Sequence, residues 1–275
     1  MKKNPYVPDV HFEQIPIKNL VSNQDYQRNL SVDHIRKAAE YFNLCQINPV
    51  KVSRRQGINY VFNGQHTIEI VALVSGSRDT PVWCMVYDDL EYEEEADIFA
   101  NQQRFVKKLL PYEIFVANIE AGNDEQLIIK ALVESYNLRI CGNSRPGCIC
   151  CVATLEDLFR KYGYDILQRS LQLCIATWEG DVDSLTSNFL RGITHLIVAY
   201  EDSLKDDMFV EKVGRFSPRE ISRIAKERKA GSMGYAEAML TLYNKKGSAN
   251  GTLKWAKLYE NKRVIYDQDK ETDTE

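Results

Sequence analysis

With 275 residues, 44% of them apolar and 27% charged, the chain has the composition of a soluble globular protein, long enough for one large domain or two smaller ones. Its formal net charge of −4 argues against coating nucleic acid with the whole surface and leaves room for a local basic patch. No stretch approaches the roughly 18 uninterrupted apolar residues of a membrane span, and Met1-Lys2-Lys3 leads into Pro5, Pro8 and Asp9 rather than an apolar signal core, so the expected location is cytoplasmic.

Taken in chain order, Ser31 is placed to cap a helix whose apolar positions Ile35, Ala38, Ala39 and Phe42 recur at helical spacing. Pro49 ends helical character. Val50 and Val52 then alternate with Lys51 and Ser53 into the hairpin-like Arg54-Arg55-Gln56-Gly57, and Tyr60-Val61-Phe62 returns as a second strand. Asn63-Gly64 turns into a helix from about His66 to Val74, with Ile68, Val71 and Ala72 on one face, closed by Ser75-Gly76-Ser77. After Pro81 the strand Val82 to Tyr87 leads into an acidic helix start at Asp88-Asp89-Leu90-Glu91. The order helix, strand, strand, helix, strand, helix predicts a small mixed α/β unit with one sheet face buried against helices.

Beyond Leu110-Pro111-Tyr112-Glu113 strand signals nearly vanish. Leu167, Leu171, Cys174, Ile175 and Trp178 recur at steps of three and four, as do Leu185, Phe189, Ile193, Ile197 and Tyr200, and such stripes read as core faces of helices. Ser217-Pro218-Arg219-Glu220 is a capping box with proline at the first helical position, so a helix starts there. It carries Arg219, Arg223, Lys226, Arg228 and Lys229. With Arg215 before it and Lys245, Lys246, Lys254, Lys257, Lys262 and Arg263 after, residues 215–263 are locally basic. Such a patch suits DNA phosphates as well as solvent, although no helix-turn-helix pair is legible in it. The expected organisation is a mixed domain over 10–112, a helical domain over 113–265 and a disordered acidic tail over 266–275.

Seven scattered cysteines fit a reducing compartment better than a disulfide framework. Cys141, Cys148, Cys150 and Cys151 cluster around Gly142-Asn143-Ser144-Arg145-Pro146-Gly147. Structural zinc takes separated C-x-x-C pairs, so zinc at Cys141, Cys148 and Cys150 is not the expected outcome.

The strand-to-helix turn at Tyr60-Val61-Phe62-Asn63-Gly64-Gln65-His66-Thr67 is the most site-like feature. A helix N-terminus following a glycine presents backbone N–H groups and a positive dipole end, which suit an anion such as a phosphate. Several motifs in order resemble the N-terminal domain of the ParB and sulfiredoxin superfamily. Gln46-Ile47-Asn48-Pro49-Val50 is similar to its "Q-P-(I/L)" strand start, Asn63-Gly64-Gln65-His66-Thr67 to its "D-G-Q-H-R" turn, and Thr80-Pro81-Val82 to its "(V/I)-P-V" segment. Ala100-Asn101-Gln102-Gln103-Arg104 resembles "E-N-L-Q-R", and Asp25-Tyr26-Gln27-Arg28-Asn29-Leu30-Ser31 the "YQR-x-LS" opening of phage and mobile-element members.

This resemblance implies an α+β protein: a small mixed domain binding CTP or ATP with Mg2+, followed by a mostly helical domain. Carried over, Asn63, Gly64, Gln65, His66 and Thr67 would form the phosphate turn. Asn101 would lie near the metal, with Gln103 and Arg104 beside it and Arg28 or Arg54 supplying positive charge. Two positions depart from the pattern. Thr67 stands where an arginine is usual, and Ala100 where the magnesium-binding glutamate is usual, so a charge-assisted phosphate contact and a metal ligand are both missing. The expected function is a nucleotide-binding, DNA-associated protein. The alternatives are a phosphotransferase or nucleotide hydrolase in which His66 or an acidic neighbour activates the acceptor, and an interaction module that has lost nucleotide. A nucleotide and DNA through 215–263 are the expected partners, no membrane is expected, and a homodimer is compatible with the sequence.

Overall fold

The computed structural model describes residues 9–22, 29–88, 90–102, 104, 106–245 and 252–260. The chain divides into two compact units, residues 1–108 and residues 109–275.

The first unit is built on a five-stranded mixed sheet. Its strands are β1 (His11–Pro16), β2 (Leu20–Ser22), β3 (Val50–Arg55), β4 (Ile58–Asn63) and β5 (Pro81–Asp88), in the spatial order β1-β5-β3-β4-β2. The β1/β5 and β3/β4 pairs are antiparallel, and the β3/β5 and β2/β4 pairs parallel. Helix α1 (Val32–Glu40) starts where Ser31 Oγ accepts the His34 N–H at 3.3 Å. Helix α2 (Gln65–Ser75) follows Gly64, and α3 (Tyr92–Gln102) follows β5. On one face of the sheet Val50, Val52, Val61, Val82, Cys84 and Val86 join Ile68 and Val71 of α2 in a single apolar core.

The other face is more polar. Ser53 and Phe62 are fully buried there, Tyr87 meets Phe62 edge-on at 5.4 Å, and the buried Glu95 of α3 pairs with Arg55 at 3.1 Å. Strands β1 and β2 are additions to the element order read from the sequence. β2 has only three residues, and β1 buries only Ile15 before ending on a proline, so neither carries an alternating apolar run.

In the second unit, helices α4 (Pro111–Glu120) and α5 (Asp124–Ser135) precede two short parallel strands, β6 (Arg139–Ile140) and β7 (Cys148–Ile149). Helix α6 (Val152–Trp178) bends at Gly163, whose φ of 80° and ψ of 177° interrupt the helix and are open only to glycine. Then come α7 (Ser187–Tyr200), α8 (Asp206–Val213), α9 (Pro218–Arg228) and α10 (Ser232–Asn244), with a further helical turn over 255–260. The expected stripes are core: Leu167, Leu171, Cys174, Trp178, Leu185, Phe189, Ile193, Ile197 and Tyr200 are all buried. Trp178 stacks edge-on against Phe189 and donates its indole N–H to the Phe216 carbonyl at 2.9 Å. Cys141 and Cys148 form a disulfide between β6 and β7, whereas the sequence pattern led us to expect free thiols there.

Among the described residues no helix is long and apolar enough to cross a membrane. Arg28 and Gln103, two of the expected site residues, and the tail over 266–275 lie outside the described residues.

Candidate functional site

A register shift between β3 and β4 shapes the turn. Lys51 lies opposite Asn63 and Val52 opposite Val61, so Phe62 is the extra residue of a bulge. The bulge aligns Lys51 and Asn63 at the end of the sheet, just before the chain enters α2. Gly64 caps that helix at φ 107°, and a Cβ there would sit 3.2 Å from the Val50 Cα and from one of its methyl groups. Only glycine meets both demands without strain.

From the other side α3 delivers Gln102. Its Oε1 accepts hydrogen bonds from Asn63 Nδ2 at 3.0 Å and from Lys51 Nζ at 3.4 Å. Its own amide nitrogen is buried with no partner. Lys51 is half-buried and has no carboxylate partner among the described residues. Two donors beside a helix N-terminus, one cationic and one unsatisfied, form a set suited to an anion. Neither Lys51 nor Gln102 was singled out from the sequence. The signals for Gln102 are its place inside the Ala100–Arg104 segment and its seven-residue spacing from Glu95, which puts both on the sheet-facing side of α3.

The other expected residues are placed as follows. Asn101, one position before Gln102, turns away: its amide donates to the Asp97 carboxylate at 2.8 Å and the Asp97 carbonyl at 3.0 Å. Arg54 is held by Glu13 at 2.6 Å and Asn59 at 2.9 Å, and its hydrogen bond keeps the Glu13 carboxyl below the usual carboxylate range. Arg104 is exposed in the turn after α3, where its N–H meets the Asn101 carbonyl at 3.0 Å. Gln65 is buried, and Thr67 lines a separate cavity of 180 Å3 with Ala38, Phe42 and Ile70.

His66 links two helix starts. Its Nε2 accepts the Ser31 N–H at 3.2 Å, which requires the proton on Nδ1, and its ring meets His34 edge-on at 5.5 Å. That lone pair is engaged by the Ser31 N–H in this arrangement.

The residues do not fit a magnesium site. Asp97 and Asn101 are bonded to each other, Ala100 contributes no oxygen, and no group of three or more His, Cys, Asp or Glu side chains suited to a metal occurs among the described residues. The zinc alternative meets the same result, with Cys141 and Cys148 joined to each other.

In the basic region, α9 buries Pro218, Ile221 and Ala225 and exposes Arg219, Arg223 and Lys226 on one face. Arg219 pairs with Asp183 at 2.9 Å and Arg215 with Glu211 at 2.7 Å. Arg228 lies 5.7 Å over Trp255, Lys229 6.0 Å over Tyr259 and Lys245 5.6 Å over Phe216. Arg223, Lys226, Lys254 and Lys257 have no ion pair among the described residues. Lys246, Lys262 and Arg263 lie outside them. Helix α10 is buried along most of its length, so it does not serve as a helix presented to a DNA groove.

A mixed five-stranded sheet with a glycine-capped helix at one end, followed by a helical unit, defines an α+β protein with a candidate anion turn. The chain belongs to the family of unknown function DUF6551, whose model matches residues 21–255. No curated protein matches it. Among solved structures it is similar to C-terminally truncated chromosome-partitioning protein ParB from Caulobacter crescentus complexed with CTP-gamma-S. That likeness has 12% identity and a TM-score of 0.36 and covers 84% of this chain and 99% of that one. For the same protein complexed to the centromeric parS site, identity is 10%, the TM-score 0.26, and coverage 83% and 99%. Both TM-scores fall below the level at which a shared fold follows.

Proposed function

We propose that this protein is a nucleotide-binding, DNA-associated protein in which the β4–α2 turn holds the phosphates of a nucleotide and the exposed face of α9 meets DNA phosphates. The observation that carries the reading is the cluster at the turn. Lys51, with no carboxylate partner among the described residues, and the unsatisfied amide of Gln102 stand beside the glycine-capped start of α2. Bound phosphate would give Lys51 an anionic partner and complement the dipole end of the helix, and a small rotation of Gln102 would bring its unsatisfied amide nitrogen to the same acceptor. For α9, the exposed Arg223 and Lys226, neither in an ion pair among the described residues, supply the sequence-independent attraction on which DNA association rests.

A thermal-shift panel with CTP, ATP and GTP, each with and without magnesium, tests the nucleotide branch. Ligand at about 100 times its dissociation constant stabilises by about 2.7 kcal/mol, and one nucleotide is expected to do so. A panel with no shift ends this branch.

A second reading, an interaction module without nucleotide, is favoured by specific placements. Arg54 is engaged with Glu13, Asn101 with Asp97, and Thr67 faces another cavity, so three of the residues expected to meet phosphate or metal are committed elsewhere. Under that reading Lys51→Met leaves every property but stability unchanged.

A further inference from the structure

We propose that the Cys141–Cys148 pair is a thiol–disulfide exchange site for a low-molecular-weight cellular thiol, with Arg145 stabilising the thiolate that departs. This inference is independent of the nucleotide and DNA readings.

The disulfide joins the two short parallel strands β6 and β7 across an exposed loop, residues 142–146. Within that loop Arg145 folds back onto the sulfurs. Its Nε lies 3.2 Å from Cys148 Sγ and its Nη2 3.9 Å from Cys141 Sγ. Backbone bonds fix the approach: the Cys148 N–H donates to the Arg145 carbonyl at 3.1 Å, and the Arg139 N–H to the Gly147 carbonyl at 2.9 Å. Arg145 has no carboxylate partner among the described residues, so no anion there competes with the sulfurs for its charge. A neutral disulfide gains little from a guanidinium, whereas a thiolate gains a charge-assisted bond.

The two sulfurs are not equivalent. Cys141 is 5% exposed and Cys148 1%, and the guanidinium is closer to Cys148. The thiolate of the small thiol attacks Cys141 Sγ, the Cys141–Cys148 bond breaks, and its electron pair leaves on Cys148 Sγ facing Arg145. A second small thiolate attacks the mixed disulfide and releases Cys141 as a thiolate, which takes a proton from water. Two small thiols become one disulfide, and the protein pair gains two electrons. A leaving thiol of lowered pKa departs faster, which is the advantage Arg145 supplies. Among the other thiols burial pushes Cys151 and Cys174 up to about 12 and Cys84 up to about 11 and also raises the half-buried Cys150, while the exposed Cys45 is followed separately by the mass of its own peptide.

The test equilibrates the full chain at neutral pH across glutathione buffers from fully oxidising to fully reducing, quenches in acid, blocks thiols and reads the Cys141–Cys148 peptide by mass. One two-electron transition is expected. In Arg145→Met its midpoint should move to a ratio of squared reduced to oxidised glutathione about tenfold higher, equivalent to about 30 mV. Arg145→Lys, which keeps the charge, should fall between. A pair that stays as thiols throughout, a pair that no buffer reduces, or an Arg145→Met midpoint identical to the parent overturns the proposal.

Discussion

Asn63 and Gln102, 39 residues apart, are joined by a 3.0 Å hydrogen bond that ties the end of β4 to the last residue of α3. Because the same Gln102 oxygen also accepts from Lys51, one side chain organises both donors at the turn.

Gln102→Glu separates stability from binding. The carboxylate keeps both acceptor contacts, adds an ion pair to Lys51 and removes the buried amide that has no partner, so stability should stay within about 1 kcal/mol of the parent. It also puts negative charge where phosphate is proposed to sit. We expect normal denaturant unfolding with the nucleotide-induced thermal shift abolished, and a retained shift would remove Gln102 from the site.

Gly64→Ala should destabilise the first unit by about 2–3 kcal/mol, since alanine at φ 107° is strained and its methyl would press on Val50. Urea unfolding measures this, and a loss under about 0.5 kcal/mol would mean the turn relaxes freely.

The Arg55–Glu95 pair makes a prediction about charge burial. Glu95 is fully buried and Arg55 also stacks 4.5 Å from the Tyr60 ring. Arg55→Met alone leaves a buried carboxylate without its cation and should cost about 3 kcal/mol. Adding Glu95→Leu should recover most of that loss. A double variant no more stable than the single one would show that Arg55 acts through Tyr60 instead.

On α9, replacing Arg223 and Lys226 with glutamine should weaken duplex DNA binding at low salt and reduce the slope of log affinity against log salt by about 2. Arg219→Gln should do less, because Asp183 already engages that side chain. Fluorescence anisotropy over a salt series reads both effects, and an unchanged slope would exclude α9 from the contact.

The start of α9 should also respond to acid. Glu220 accepts from the Ser217 backbone N–H at 2.9 Å, and that bond holds its carboxyl below the usual range. The stabilisation is present above the ordinary carboxylate pKa and is lost as pH falls through the lowered folded value. Glu220→Gln should therefore flatten part of the decline in stability below pH ~4.5. An identical pH profile would assign the decline to other carboxylates.

Much of this architecture was legible in the sequence because its signals are local. Ser31 and Ser217 announce helices through their own hydroxyls, and the stripe from Leu185 to Tyr200 follows helical period. The site was less legible because it depends on rotation and register. Asn101 and Gln102 differ by about 100° around α3, enough to send one to Asp97 and the other to Asn63. Lys51 looked like one more outward residue of an alternating strand until the bulge at Phe62 aligned it with Asn63. The Cys141–Cys148 bond is likewise invisible to spacing rules, since seven positions are bridged by a turn rather than a motif.

Residues 252–260 close over the helical unit by three separate fastenings. Asn244 exchanges two bonds of 2.9 Å with Leu253, the Tyr200 hydroxyl reaches the Lys254 carbonyl at 2.9 Å, and Tyr259 locks onto the buried Glu237 of α10 at 2.6 Å. Leu253 and Leu258 are buried beneath them. This stretch behaves as a latch. A fragment cut at the end of α10 would uncover apolar core and strand a buried carboxylate, so the smallest self-sufficient piece of this unit runs at least to residue 260.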